Sequence, residues 1–221
     1  MIINIIKNQM KKTNKYFSES RNELKNFYPP CEKLLDIGCG RGVFSRDIKS
    51  KYNCIVHGIE LDKSSAEVAA KYLDKVFVGD IHSVLPDIHE KYYDIVACND
   101  ILEHLYDPYT LLQNLEQKII SDGILISSIP NFLFVGSLFR IIIKRDFRYA
   151  NEGIMDFTHV RFFTRKSMLR MFDEAGYDVL SISGINGSNN KLWRLFNFIT
   201  FRFFDDFSYL QFVITAKPRV K

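Results

Sequence analysis

Short apolar runs, each ending in glycine, an acid or another turn-forming residue, recur along the chain. A run of about four to eight apolar residues with such an ending is typical of a buried strand. Helices are predicted at Lys63–Tyr72 and Lys166–Ala175, the second bounded by Thr164 as N-cap and by Gly176 just past its end. This order predicts an α/β fold with a mostly parallel sheet. The predicted strands are residues 34–37, 54–60, 76–78, 93–98, 123–131 and 210–216.

The first strand runs directly into a glycine-rich loop, Asp-Ile-Gly-Cys-Gly-Arg-Gly at residues 36–42. Glycine permits a tight turn and a close approach to a ligand because it has no Cβ. Open α/β sheets bind their ligands at this end of the strands. A dinucleotide fingerprint, Gly-x-Gly-x-x-Gly, would place its third glycine at Val43 or Ser45, so it does not fit.

The glycine loop resembles motif I of the class I S-adenosylmethionine (SAM) dependent methyltransferases. The acid-x-Gly-x-Gly-x-Gly pattern of that motif falls on Asp36, Gly38, Gly40 and Gly42. The resemblance implies that the carboxylate of Asp36 faces the ammonium group of the methionine moiety, usually through water. The expected cofactor is therefore S-adenosylmethionine.

Later strand ends carry the residue types that this family uses for the nucleoside. Glu60 follows the loop at close to the offset of about 20 residues at which an acid accepts both ribose hydroxyls. The resemblance implies that Asp80 binds the adenine amino group. Either acid is also explained as a turn former or an N-cap, and both interpretations stay open. Cofactor contacts are predicted for Asp36, Gly38, Cys39, Gly40, Gly42, Glu60, Leu61, Asp80, Ile81 and Asn99.

The resemblance also implies a Rossmann-like, doubly wound, seven-stranded sheet in the order 3-2-1-4-5-7-6. Strand 7 is expected to be antiparallel, with helices on both faces and one domain over residues 1–221. Residues 1–30 are interpreted as an N-terminal helical extension in which Tyr16 is a candidate substrate contact. Residues 132–163 and 186–207 are apolar, aromatic insertions on the substrate side. A lid, a homodimer interface and a peripheral surface on lipid headgroups remain open for them.

Composition narrows the class of protein. A net charge of +4 and a pI near 8.8 are too mildly basic to argue for a nucleic-acid partner. Four cysteines without a Cys-x-x-Cys pair favour reduced thiols and a cytoplasmic protein. The first residues do not resemble a signal peptide, because charge follows the apolar patch. Neither insertion reaches the roughly 20 apolar residues of a membrane span, so no transmembrane segment is expected.

A second motif, Asp-Phe-Thr-His-Val-Arg-Phe-Phe-Thr, occupies residues 156–164. It resembles a bacterial branch of the family that includes enzymes thought to methylate sugars of surface polysaccharides. Its His159 and the separate His104 are candidates for the catalytic base that takes a hydroxyl proton, with His159 slightly favoured. Asp156 is a candidate to orient His159, and Arg161 to bind an anionic group of the acceptor.

The stretch Asp100-x-x-Glu103-His104 also resembles the Glu-x-x-Glu-His stretch of ubiquinone-type O-methyltransferases. It allows a metal interpretation, but no metal is expected. The sequence therefore predicts a SAM-dependent O-methyltransferase for a small polar acceptor, a sugar or nucleotide-linked sugar of a surface-glycan pathway. A quinone or phenol-type, lipid-like acceptor is the alternative, followed by a nucleic-acid or protein substrate.

Overall fold

The computed structural model describes residues 21–219, and Tyr16 and most of the predicted extension lie outside them. Seven strands form one sheet in the order β3-β2-β1-β4-β5-β7-β6, as predicted. Strands β1 to β5 pair in parallel, and β7 is antiparallel to both β5 and β6. The strands are β1 (Lys33–Ile37), β2 (Ile55–Glu60), β3 (Lys75–Val78), β4 (Tyr93–Asn99), β5 (Ile119–Pro130), β6 (Tyr177–Gly187) and β7 (Tyr209–Pro218).

Helices cover both faces of the sheet, which is why successive residues of the central strands are buried. Leu34 and Leu35 are neighbours on β1 but belong to two different apolar clusters, one on each face. Ile48, on the helix Val43–Tyr52, packs into the cluster that contains Leu34. Met168, on the helix Arg165–Glu174, packs into the cluster that contains Leu35. The helices are α1 (Val43–Tyr52), α2 (Lys63–Ala69), α3 (Ile81–Val84), α4 (Pro108–Glu116), α5 (Val135–Lys144), α6 (Arg165–Glu174) and α7 (Lys191–Ile199).

Two element boundaries differ from the prediction by three residues or more. Helix α2 ends at Ala69 rather than Tyr72, because Asp74 ties the chain to β2: its N–H donates to the Val56 carbonyl and its carboxylate accepts from Val56 N–H. Strand β5 begins at Ile119, before the predicted start at Gly123. Ile119 pairs with Tyr93, although the sequence that follows it has the composition of a turn.

Both predicted insertions leave the sheet at one edge. Residues 132–163 follow the carboxyl end of β5 and include α5, whereas residues 186–207 begin in the last two residues of β6, include α7 and lead to β7. Because β7 is antiparallel, Gln211 near its start lies opposite Pro130 at the end of β5. This edge also carries the glycine loop after β1. No helix within residues 21–219 is long and apolar enough to cross a bilayer.

Candidate active site

A cavity of about 450 Å³ opens at the carboxyl ends of the central strands. All predicted cofactor contacts except Gly42 line it, and Gly42 lies beside it as the N-cap of α1. The topology explains this, since parallel strands bring their carboxyl ends to the same edge. The lining is Arg21, Asp36, Ile37, Gly38, Cys39, Gly40, Val43, Phe44, Ile59, Glu60, Leu61, Gly79, Asp80, Ile81, Asn99, Asp100, Ile101, His104 and Leu105.

The glycine loop needs its glycines for shape and for space. Gly38, Gly40 and Gly42 all have positive φ, at 70°, 55° and 74°. Such angles are strained for any residue with a Cβ. A Cβ on Gly38 would also collide with the side chain of Ile101, and one on Gly42 would lie 3.0 Å from Ala69 Cβ. The loop therefore needs glycine for its own close packing, and its approach to a ligand stays a prediction.

Glu60 holds the loop as well as facing the cavity. Its Oε2 accepts a 2.8 Å hydrogen bond from Gly40 N–H, and its Oε1 accepts one of 2.8 Å from Asp62 N–H. Glu60 is only 6% exposed, and the hydrogen bonds from these two backbone donors offset much of the free-energy cost of burying its carboxylate. Carboxylate oxygens have further lone pairs, so Glu60 can still accept hydrogen bonds from a pair of hydroxyls.

Asp36 is a buried carboxyl group on the cavity wall. Burial raises its pKa to about 7; the Ser45 hydroxyl donates to its Oδ2 and lowers the pKa, and the charge of Glu60 raises it. Nearby Asn99 donates from Nδ2 to the Tyr28 hydroxyl at 2.7 Å. Its buried Oδ1 accepts no hydrogen bond from residues 21–219. A carboxyl group and an amide oxygen on one wall fit a cationic donor such as an ammonium group.

The remaining predicted contacts supply a cap and apolar walls. Asp80 is the N-cap of α3, its Oδ1 accepting from His82 N–H at 2.9 Å, and it also lines the cavity. Both interpretations of this acid are therefore compatible with its position. Leu61 and Ile81 add apolar surface, which suits a flat nucleobase.

Arg21 was not predicted as a site residue. Its guanidinium forms an ion pair with Asp100 and donates from Nη2 to Gln211 Oε1 at 3.1 Å, at the cavity wall. Gln211 Nε2 donates to Asp100 Oδ1 at 2.7 Å, so the three side chains form one network. Nothing local in the sequence marks Arg21, because its partners follow it by many residues.

The two candidate bases are in contact with each other but not equally placed. His104, in a 3-10 turn at Leu102–His104, lines the cavity. The ring of buried His159 stacks edge-on against it, with centroids 4.7 Å apart. His104 Nδ1 lies 3.0 Å from the Thr158 carbonyl, which can only accept, so Nδ1 carries the proton and Nε2 the lone pair of the neutral ring. His159 is not among the lining residues.

Asp156 and Arg161 stabilise loops around this pair. Asp156 Oδ1 accepts from Thr158 N–H at 2.8 Å and from its hydroxyl at 2.6 Å, whereas His159 Nδ1 donates to the Ile154 carbonyl at 3.0 Å. Arg161 Nε donates to the Tyr106 carbonyl at 2.9 Å. Neither Asp156 nor Arg161 lines the cavity, and their substrate roles stay predictions.

Glu103, His104 and His159 form the group that could hold a metal ion. Each offers one ligand atom, and these atoms lie within 4.8 Å of one another. Glu103 is buried, with its Oε1 3.9 Å from His159 Nε2. The Asp100 of the sequence motif is instead paired with Arg21.

Comparison with known proteins identifies the family. The profile described as Methyltransferase domain matches residues 7–182, most of the chain. The chain belongs to the methyltransferase domain family. The prediction of a SAM-dependent methyltransferase is confirmed by this match, and the cofactor with it.

Several curated relatives of this methyltransferase are ubiquinone biosynthesis O-methyltransferases. This chain is 25% identical over 172 residues to a ubiquinone biosynthesis O-methyltransferase of Shewanella sp. (strain ANA-3), and the match covers 76% of this chain and 71% of the relative. This chain is 28% identical over 163 residues to the enzyme of the same name from Vibrio campbellii (strain ATCC BAA-1116), and the match covers 70% of this chain and 67% of the relative. The crystal structure of a SAM-dependent methyltransferase from Archaeoglobus fulgidus shares the fold, with a TM-score of 0.66 and 19% identity. The match covers 97% of this chain and 99% of that one.

Proposed function

We propose that this methyltransferase methylates a hydroxyl group of an apolar, phenol or quinone-type acceptor. The position of His104 carries the proposal: it is the candidate base on the cavity wall, and its apolar neighbours there are Ile101 and Leu105. The relatives named for ubiquinone biosynthesis support this acceptor over the sugar that the residue 156–164 motif suggested.

The chemistry follows from that position. When bound, S-adenosylmethionine supplies a methyl group on a positively charged sulfur; an oxygen nucleophile attacks the methyl carbon in line, and the sulfur leaves. The protein then has to place the acceptor oxygen and take its proton. His104, which lines the cavity and whose Nδ1 is held by the Thr158 carbonyl, takes the hydroxyl proton.

His159 and Glu103 support His104 from behind. The edge-on contact between the imidazole rings restricts the orientation of His104. Glu103, 3.9 Å from His159, stabilises positive charge that develops on the histidine pair when the proton arrives. In this arrangement His104 is the catalytic residue and His159 is a positioning residue, which reverses the preference that the sequence suggested.

The acceptor class is tested by a methyl-transfer screen. Release of S-adenosylhomocysteine is measured with catechol-type phenols and, separately, with nucleotide sugars. We expect saturable turnover on phenols. Turnover restricted to nucleotide sugars would contradict the proposed acceptor and restore the sugar hypothesis, which the residue 156–164 motif supports.

The base is tested with His104→Gln, which keeps a polar side chain but removes the basic nitrogen. We expect kcat to fall about 10²-fold or more, with SAM affinity close to wild type. His89→Gln, an exposed histidine outside the cavity, is the matched control. A larger loss in His159→Gln than in His104→Gln would assign the base to His159.

A further inference from the structure

Helix α7 is oriented opposite to an ordinary surface helix. Its apolar residues Leu192, Leu195, Phe196 and Ile199 follow helical spacing and are all exposed, Leu192 by 79%. The buried residue of the helix is instead Asn197, which is 7% exposed. A surface helix normally turns its apolar stripe to the core. The apolar stripe of α7 therefore faces away from the protein.

The turn after α7 extends the same surface. Phe201 is 95% exposed and Phe203 is 82% exposed, and Phe198 on the helix is 76% exposed. Clustered aromatic side chains of this kind mark a contact surface rather than the scattered apolar residues that any protein exposes. We call residues 191–204 the α7 segment.

Hydrogen bonds fix the α7 segment in this orientation. Asn190 caps the helix by accepting from Trp193 N–H at 3.1 Å, and Trp193 Nε1 donates to Ser208 Oγ at 3.0 Å. Asn197 Nδ2 donates to Asp205 Oδ1 at 3.0 Å. The Trp193 and Asn197 side chains hold the helix to Ser208 and Asp205, so rotation that buried the apolar face would break these two bonds.

The charges of the α7 segment are all positive. It contains Lys191, Arg194 and Arg202, each exposed, and no acidic residue; Arg202 pairs with Asp205 just after the segment, at 2.9 Å. The insertion at residues 132–163 repeats the pattern: residues 135–149 contain four basic residues and one acid, and α5 buries none of its residues. Both helices belong to insertions that leave the sheet at the cavity edge.

We propose that the α7 segment seats this edge of the protein on a lipid bilayer that carries anionic headgroups. Exposed aromatic and aliphatic side chains enter the boundary between headgroups and acyl chains, while the basic side chains meet the headgroup charge. A second copy of the chain fits less well, because a symmetric dimer would place the same basic residues opposite one another. The proposal does not require the acceptor proposed above, because bilayer binding is measured without turnover.

Co-sedimentation with vesicles tests the surface. Phosphatidylcholine vesicles with roughly 30 mol% phosphatidylglycerol carry the anionic charge, and pure phosphatidylcholine vesicles do not. We expect the wild type to sediment with the anionic vesicles and to be released by high salt, which screens the charges. Phe198→Ser combined with Phe201→Ser should weaken partitioning by about tenfold or more. Lys191→Gln combined with Arg194→Gln should weaken it about fivefold per charge.

Matched controls are available elsewhere on the surface. Leu180→Ser removes an exposed apolar residue of β6, and Lys71→Gln removes an exposed charge after α2. Both should sediment like the wild type. Wild-type protein that stays in the supernatant with anionic vesicles would overturn the proposal. So would a concentration-dependent dimer in sedimentation velocity that Phe201→Ser dissociates, because a second copy would then cover the segment.

Discussion

The pKa of Asp36 predicts that SAM binding is linked to proton release. In the free protein, burial raises this pKa to about 7, so near neutral pH about half of the molecules hold a proton on Asp36. If the ammonium of the bound cofactor faces this carboxylate, only the ionised form binds well. The ammonium itself stays protonated below its usual pKa of about 7.7–8.0. Between pH 5 and pH 7, Asp36 therefore controls the linkage.

The size of the effect follows from the ionised fraction. With a pKa of about 7, that fraction falls about fivefold from pH 7 to pH 6 and close to tenfold over the next unit. SAM affinity should fall by the same factors. Stability has the opposite dependence in the free protein: the folded state keeps a proton that the unfolded chain has released, so this contribution is present below about pH 4 and is lost as pH rises through 7.

Isothermal titration calorimetry measures both quantities. Titrations in two buffers with different ionisation enthalpies report the protons released, about 0.9 per SAM at pH 6 if the linkage is complete. Asp36→Asn should remove this release and flatten the affinity profile between pH 5 and pH 7. Ser45→Ala removes the hydrogen bond that lowers the pKa, so the profile should move to higher pH. An Asp36→Asn variant with the wild-type pH profile would refute the assignment.

Two further variants test the loop. Glu60→Gln leaves one oxygen for the two backbone donors of Gly40 and Asp62, so SAM should bind about 1–3 kcal/mol more weakly by calorimetry, and unchanged affinity would remove Glu60 from the site. Gly42→Ala and Gly153→Ala both strain a positive φ by about 1–2 kcal/mol, but only the first meets a neighbour, Ala69. In denaturant unfolding Gly42→Ala should be less stable than Gly153→Ala, and equal losses would contradict the close-packing argument.

Six of the seven strands and the cofactor side of the cavity could be predicted because their signals are local, whereas β6 and the strand order followed only from the family resemblance. An apolar run followed by an acid or glycine fixes both the strand and the position of its last residue. Topology then brings these ends together. The double role of Glu60 was not visible, because its hydrogen bond to Gly40 joins two separate strand ends.

Long-range pairing explains what the sequence left open at the site. Arg21 meets Asp100 and Gln211 only in the folded chain, and no periodicity marks any of the three. The two histidines posed a similar problem, since each follows a plausible motif. Which histidine reaches the cavity depends on packing. The 3-10 turn brings His104 to the cavity wall, whereas a hydrogen bond to the Ile154 carbonyl holds His159 behind it.

The orientation of α7 was the least predictable feature, and its cause is physical. The apolar stripe of α7 would ordinarily be expected to face the core, whereas its residues are exposed. The few polar groups decide it, because Trp193 Nε1 and Asn197 find hydrogen-bond partners only on the side of Ser208 and Asp205. In this orientation Phe198, Phe201 and Phe203 stay exposed. Exposed apolar side chains in such a cluster favour contact outside the domain, and the basic residues Lys191 and Arg194 favour a bilayer over a second copy of the chain.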